Sequence, residues 1–266
     1  MRKICSSLVL AALVSAAPIA AAGWDPVSSH DRAALEKFVS ARINRTATPP
    51  LAFTYDGKNS SAFIGKWTVT ANAQSAADRT VKTVVYTDPA TRLRLTVVYT
   101  IYKDCPAVEW VARLKNEGAA ATPIVENVLA CAADFPGFAA GPVTLYRARG
   151  SSAERSDFGP VENVLADKGE VVFGTSSGRS SDTTALPFFN MAGPSRGIVA
   201  AVGWSGSWTA AVRRAGQSLA LDAGMARTRF RLHPGEEVRT PSIALLFWQG
   251  SDRMAGHNLF RRFVLA

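Results

Sequence analysis

From Leu51 to Trp248 the chain alternates apolar and polar positions in short runs, and the runs are separated by turn-forming residues. "LAFTY", "SAFIGKWTV", "TVKTVVYT", "RLRLTVVYTIY", "AVEWVARLKN", "IVENVLACAADF" and "VTLYRAR" read as strands. So do "EVVFG", "ALPFFNM", "RGIVAAVGW", "SWTAAVRR", "SLALDA", "RTRFRLH" and "EVRTPSIALLFWQ". Each has the period-2 pattern or β-branched richness of a half-buried strand. Between them stand "DGKNSS", "TDPAT", "KNEGAA", "FPGF", "DKGE", "SGRSSD", "AGPS", "RAGQ" and "HPGE", stretches rich in Gly, Pro, Asn, Asp and Ser. Fourteen strands with short turns and no interleaved helices imply antiparallel sheets, and two large sheets packed face to face bury the alternating apolar face most simply. No constant repeat length favours a propeller or solenoid.

Helical spacing occurs only at the ends. "SSHDRAALEKFVSARI" (28–43) places Leu35, Phe38, Val39 and Ile43 on one face, with Ser28 and Asp31 spaced as a capping box. "SDRMAGHNLFRRFVLA" (251–266) places Met254, Leu259, Phe260, Phe263 and Val264 at helical spacing behind a Ser251 cap, and no Gly, Asn or Pro follows to stop it.

The first residues read as a secretory leader: Met1-Arg2-Lys3, an apolar segment from Ile4 to Ala17, then small residues with cleavage after Ala22. An exported protein, periplasmic or extracellular, is expected. That divides the chain into a leader (1–22), a helical lead-in (23–50), a β domain (51–250) and a terminal helix (251–266). No later segment approaches the roughly 20 apolar residues of a membrane span, so no membrane partner is expected. Cleavage would remove two positive charges and lower the formal charge from +9 to +7. The remaining basic residues are scattered, as "RR" pairs at 213–214 and 261–262 and the alternating Arg227, Arg229 and Arg231, opposite Thr228, Phe230 and Leu232. Nothing interleaves them with aromatics as a nucleic-acid surface would. Cys105 and Cys131 remain after cleavage; a disulfide and two buried free thiols are both compatible with an oxidising compartment.

Chemistry is sparse. His30, His233 and His257 have no paired spacing and no Cys or carboxylate cluster around them, so neither a metal nor any other cofactor is expected. Gly174-Thr175-Ser176-Ser177-Gly178 has the form of a nucleophile elbow, yet "RSSDTTALPFF" follows it where the motif requires a helix. Asp157, Glu162 and Asp182 lie in the longest polar stretches, and a glycosidase would need two carboxylates at a fixed separation. "GWSGSW" suggests a hairpin: Ser205-Gly206 as a two-residue turn would send Trp204 and Trp208 to opposite faces, and a three-residue loop would put both on one face. An exposed indole would suit the apolar face of a sugar.

The segments "FTYDGKNSSAFIGKW", "YTDPATRLRLTVVYTIYKDCPAVEWVARLKNEG", "TPIVENVLA", "GRSSDTTALPFFN", "GIVAAVGWSGSW", "RLHPGEEVRTPSIALLFWQG" and "GHNLFRRFVLA" taken in order resemble the amino-terminal β-supersandwich domain of bacterial alpha-galactosidases of glycoside hydrolase family 36. The resemblance covers about residues 50 to 266. It implies an all-β supersandwich followed, in such enzymes, by a linking helix and a (β/α) barrel that carries both catalytic aspartates. No residue here matches those catalytic positions, so no catalytic residue is assigned and the chain alone is expected to be inactive. The resemblance further implies a carbohydrate substrate of galactoside type, a catalytic barrel as partner in cis or trans, and in some such enzymes a subunit interface. Arg179, Ser180, Ser181 and Asp182 in "GRSSD", with Trp204 and Trp208, are the residues it offers for bordering a substrate entrance. The alternative is a free-standing carbohydrate-binding or assembly protein that keeps the sandwich alone.

Overall fold

A computed structural model describes residues 29–265. The expected leader, its cleavage site and the Ser28 cap lie outside the described residues.

Seventeen strands form two antiparallel sheets among the described residues. The larger runs β3 (Thr68–Ser75), β4 (Arg79–Thr87), β5 (Leu93–Tyr102), β6 (Ala107–Asn116), β17 (Ser242–Gln249), β12 (Arg196–Gly203), β11 (Phe188–Ala192), β8 (Val143–Ala148) and β9 (Pro160–Leu165), with β16 (Glu237–Arg239) also on β6. The smaller runs β10 (Glu170–Gly174), β13 (Trp208–Ala215), β14 (Ser218–Met225), β7 (Val125–Phe135), β1 (Ala52–Tyr55) and β2 (Lys58–Asn59), with β15 (Arg229–Phe230) on β7. The alternation read from the sequence is the alternation of burial. In β5, Leu93, Leu95, Val97 and Tyr99 point into the core while Arg94, Thr96 and Val98 are partly exposed. Arg227, Arg229 and Arg231 are likewise exposed opposite partly buried Thr228 and Phe230 and buried Leu232.

The turns follow their residues. Asp88 accepts hydrogen bonds from the backbone N–H of Ala90 (3.1 Å) and the hydroxyl of Thr91 (2.6 Å), which shapes "TDPAT" between β4 and β5. Asn116, fully buried, donates from Nδ2 to the carbonyls of Ala120 and Leu232, both at 2.8 Å, and accepts from Gly118 N–H at 2.8 Å, so its amide is satisfied where β6 ends.

The first helix does more than lead in. α1 (Ser29–Phe38), extended by one π-helical turn (Val39–Ile43), wedges between the sheets. Phe38 packs against Phe135 of the smaller sheet (centroids 5.7 Å) and Phe247 of the larger (5.6 Å). Arg42 donates to the carbonyl of Ala132 at 3.0 Å, and Lys82 donates to the carbonyl of Ile43 at 3.1 Å. One face of the wedge therefore holds each sheet.

The second helix, α2 (Arg253–Leu265), starts at Arg253 and is capped by Asp252, whose side chain accepts from Met254 N–H at 2.9 Å, not by Ser251. It lies on the outer face of the larger sheet, over β17, β12 and β11. Leu259, Phe260 and Phe263 pack there against Trp248, Leu246 and Val199 in an apolar cluster separate from the main core, while Met254, Val264 and Leu265 stay exposed.

Several expectations are corrected. "SAFIGKWTV" holds two turns of 3-10 helix (Ser60–Ala62 and Ile64–Lys66) that pack Phe63 and Trp67 face to face before β3 begins. "EVRTPSIALLFWQ" is two strands, since Pro241 lacks the N–H to continue the ladder. "RTRFRLH" keeps only two paired residues, and "PVENVL", in the long polar stretch around Glu162, is the edge strand β9. "GWSGSW" is not a hairpin: β12 belongs to the larger sheet and β13 to the smaller, so residues 204–207 carry the chain from one sheet to the other. Cys105 and Cys131 are free and buried. Cys131 faces the core between the sheets and Cys105 lies beneath α2 on the outer side of the larger sheet, so the sheet separates them and no disulfide forms.

Candidate functional site

At one edge of the sandwich the two sheets end on β9 and β10, which are joined by the short turn 166–169, and the loop 175–187 returns over this edge to β11. Asp182 organises the loop. Its carboxylate accepts from Ser176 N–H (3.0 Å), Ser177 N–H (3.4 Å), the Ser177 hydroxyl (3.0 Å), Thr184 N–H (2.9 Å) and the Thr184 hydroxyl (2.5 Å). Burial by itself raises its pKa, but the bonds from Thr184, Ser176 and Ser177 outweigh it and hold the carboxyl well below the usual carboxylate range. Thr175 donates to the carbonyl of Arg179 within the loop (2.7 Å), Gly178 N–H donates to the Ser207 hydroxyl in the connection before β13 (2.9 Å), and Trp208 Nε1 of β13 ties the loop to the smaller sheet by donating to the carbonyl of Ser180 (2.7 Å).

The candidates from sequence thus separate into two groups. Asp182 is buried and Trp208 is fully buried, packed edge-on against Phe173 at 5.8 Å, so neither presents a surface to a sugar. They hold the loop. Arg179 is exposed and Ser180, Ser181 and Trp204 are partly exposed, so these four keep surface open to solvent. The remaining carboxylates are engaged separately: Asp157 caps its own loop through Ser151 (2.6 Å) and Ser152 (2.8 Å), and Glu162 pairs with Arg253 at 2.6 Å. Ser176 is exposed and followed by a loop. Among the described residues no group of three or more His, Cys, Asp or Glu could hold a metal, and no helix is long and apolar enough to cross a membrane.

Under the loop, the edge opens as a depression of about 630 Å³ with a mixed lining, polar at Arg147, Arg149, Ser176, Thr183 and Thr209 and apolar at Val161 and Phe173, among others. Arg147 stands on the core-facing side of β8, in line with buried Val143 and Leu145. Its guanidinium lies 5.3 Å from the Phe173 ring centre and donates from Nε to Asn163 Oδ1 (3.1 Å) and from Nη1 to the carbonyl of Thr184 (3.4 Å). Its pKa is lowered, first by burial and then by the like charge of Arg149. Sequence reading passed over both arginines as the end of a strand. The available signal was the inward parity of Arg147 with Val143 and Leu145 in "VTLYRAR".

The second built feature is the seat of α2. The Trp248 indole lies over Gly197, where a Cβ would stand 2.3 Å from the ring, and under Gly256, where a Cβ would stand 2.5 Å from Nε1. Nε1 donates to Asn190 Oδ1 at 2.9 Å, and Asn190 Nδ2 donates on to the carbonyl of Arg253 at 3.5 Å. Two glycines and one amide thereby fix where the helix leaves the sandwich.

Two twisted antiparallel sheets closed by a wedged helix, a pinned rim loop at one edge and an outgoing helix seated on the larger sheet define the class: an all-β supersandwich module. The sequence profile of the glycosyl hydrolase family 36 N-terminal domain matches residues 15–232, and the chain belongs to that family. The match takes in α1, which the sequence resemblance had left outside, and stops short of β16, β17 and α2. Among solved structures, the chain is similar to the GH36 alpha-galactosidase AgaA from Geobacillus stearothermophilus, with 16% identity and a TM-score of 0.56 over 77% of this chain and 30% of that one. It is similar to the alpha-galactosidase from Lactobacillus brevis, with 16% identity and a TM-score of 0.60 over 77% and 29%. It also matches a substituted form of AgaA in complex with stachyose, with 18% identity and a TM-score of 0.58 over 80% and 32%. The chain spans about a third of the length of these proteins. At such identities the likeness is one of fold. No curated protein sequence matches.

Proposed function

We propose that this chain is the non-catalytic amino-terminal module of an exported alpha-galactosidase-like glycoside hydrolase, which packs on a catalytic barrel and borders its substrate entrance. The observation that carries the reading is the partial match: the chain is similar to about 30% of an alpha-galactosidase, and the profile it fits is that of the N-terminal domain. The seating of α2 supports it. A helix fixed through Trp248, Gly197 and Gly256 gives a following domain a defined direction, and the exposed side of α2 keeps Met254, Val264 and Leu265 available for it. The rim loop supports the second half, because Arg179 projects, exposed, from a segment whose backbone Asp182 and Trp208 hold, which leaves its planar donor fork available to sugar hydroxyls.

The test is hydrolysis of an aryl alpha-galactoside by the purified chain, alone and joined to a family 36 barrel. The chain alone is expected to show no turnover and the joined protein to show it, with Arg179→Ala raising KM more than it lowers kcat. Turnover by the chain alone that a single carboxylate substitution abolishes would refute the reading. Export is checked by sequencing the amino terminus of the secreted product, expected at Gly23.

A further inference from the structure

We propose that the depression between β9 and β10 is a binding site for an acidic sugar, a carboxylate-bearing pyranose free or within a polysaccharide, held by Arg147 and Arg149. The inference concerns this chain alone and stands apart from the barrel reading.

Arg147 occupies a core-facing position whose neighbours two and four residues back, Leu145 and Val143, are fully buried. A partly buried guanidinium loses hydration, which a carboxylate partner ordinarily offsets. Among the described residues none lies within salt-bridge distance of Arg147, or of Arg149 two residues along on the same face. Glu162, on the neighbouring strand, is taken by Arg253; Asp182 is saturated by its own loop; Asp157, beyond Arg149, is saturated by Ser151, Ser152 and Glu154 N–H. Two like charges thus share one open depression without an ion pair to either; the nearest acids, Glu154 and Asp157, line the adjoining hollow on the far side of Arg149. The bonds to Asn163 and Thr184 and the Phe173 ring fix Arg147, so its fork is preorganised, as a carboxylate requires.

The rest of the lining argues for a sugar over a bare ion. The hydroxyls of Ser176, Thr183 and Thr209 line the depression and make no hydrogen bond within the described chain. Its volume of about 630 Å³ falls in the range of small-molecule sites and far exceeds what an inorganic anion fills. An inward charge near a sheet edge also blocks edge-to-edge pairing. That role accounts for one arginine, not for a second arginine and a row of free hydroxyls.

The experiment is calorimetric titration of the chain with galacturonic acid, galactose and inorganic sulfate, repeated on Arg149→Gln and Arg147→Gln. Galacturonic acid is expected to bind at least about tenfold more tightly than galactose or sulfate, and each variant to weaken it about tenfold or more, as loss of one charge-assisted contact implies. Arg149 is exposed, so its variant should keep the wild-type circular dichroism and remain informative even where Arg147→Gln unfolds. Absence of heat with every probe would overturn the proposal, as would equal affinity for galactose. Sulfate binding as tight as the sugar acid would reduce the site to an anion site and overturn it too. Aggregation of Arg147→Gln with unchanged sugar binding by Arg149→Gln would leave edge protection as the arginine's role and overturn it as well.

Discussion

Replacing Gly256 by Ala sets two known effects against each other at one atom. In an isolated helix the change stabilises by about 1 kcal/mol, because Gly is among the poorest helix formers and Ala the best. In α2 the new Cβ would stand 2.5 Å from Trp248 Nε1, 2.6 Å from Cδ1 and 2.8 Å from Cε2. The indole cannot retreat, since it already lies on the backbone of Gly197 and is tethered to Asn190. The helix must therefore lift by roughly 1 Å to restore ordinary contact, and forcing an extra methyl into a packed site costs about 1–3 kcal/mol. Lifting also loosens Leu259, Phe260 and Phe263, each worth about 1.5–3 kcal/mol if fully buried and here only partly so. The net expectation is a loss of about 1–2 kcal/mol, or a fall in Tm of about 2–8 °C for a domain of this size. Because the cluster under α2 is separate from the main core, near-ultraviolet circular dichroism and Trp emission should change while the β signal persists. Asn258→Ala, at an exposed position of the same helix, supplies the control and should raise Tm slightly. If Gly256→Ala raised Tm as much as Asn258→Ala and left the Trp spectra unchanged, the seating argument would be wrong.

Asp182→Asn removes the charge from five hydrogen bonds and should cost about 1.5–3 kcal/mol at neutral pH. The folded carboxyl titrates below its unfolded value near 4, so its contribution is complete above that pH and disappears as pH falls through the lower folded value. Chemical denaturation across pH 2–7 should show wild type and variant converging at the acid end; a constant difference would count against the loop's dependence on the charge. Burial pushes the Cys105 thiol up to about 12, with a smaller push from Asp104, and raises Cys131 further, chiefly through burial. Neither should react with a thiol reagent at pH 8 until denaturant is added, and reductant should leave Tm unchanged; a reductant-sensitive melt would restore the disulfide.

The strands were legible wherever one face meets the core and the other meets water. "AVEWVARLKN" is β6 residue for residue, because its parity is unbroken between a turn and a Gly-containing loop. β9 was missed because an edge strand with exposed Glu162 and Val164 has little parity to show. The split of "EVRTPSIALLFWQ" was signalled by its proline. The site was less legible: Arg179 and Trp204 keep surface open to solvent, but Asp182 and Trp208 turn inward, and a motif gives no account of which way a side chain faces. Arg147 and Arg149 become a pair with hydroxyls from two other segments only when two edge strands from different sheets are brought together.

By itself the sequence determined the class, through the period of its apolar positions, and the family, through the order of its segments; both are local or linear properties. Sheet membership belongs to the tertiary structure. A strand's pattern states that one face is buried but not against what, so "GWSGSW" reads as a turn whether its flanking strands pair or part. In the fold they part, since β12 finds β17 and β11 while β13 finds β10 and β14. The same decision sends Trp208 into the core, parts Cys105 from Cys131 across the larger sheet, and converts the helix at the amino end from a lead-in to the wedge that closes the sandwich. Long-range pairing made each of these choices, because burial is settled by which surfaces meet, and no single segment carries that information.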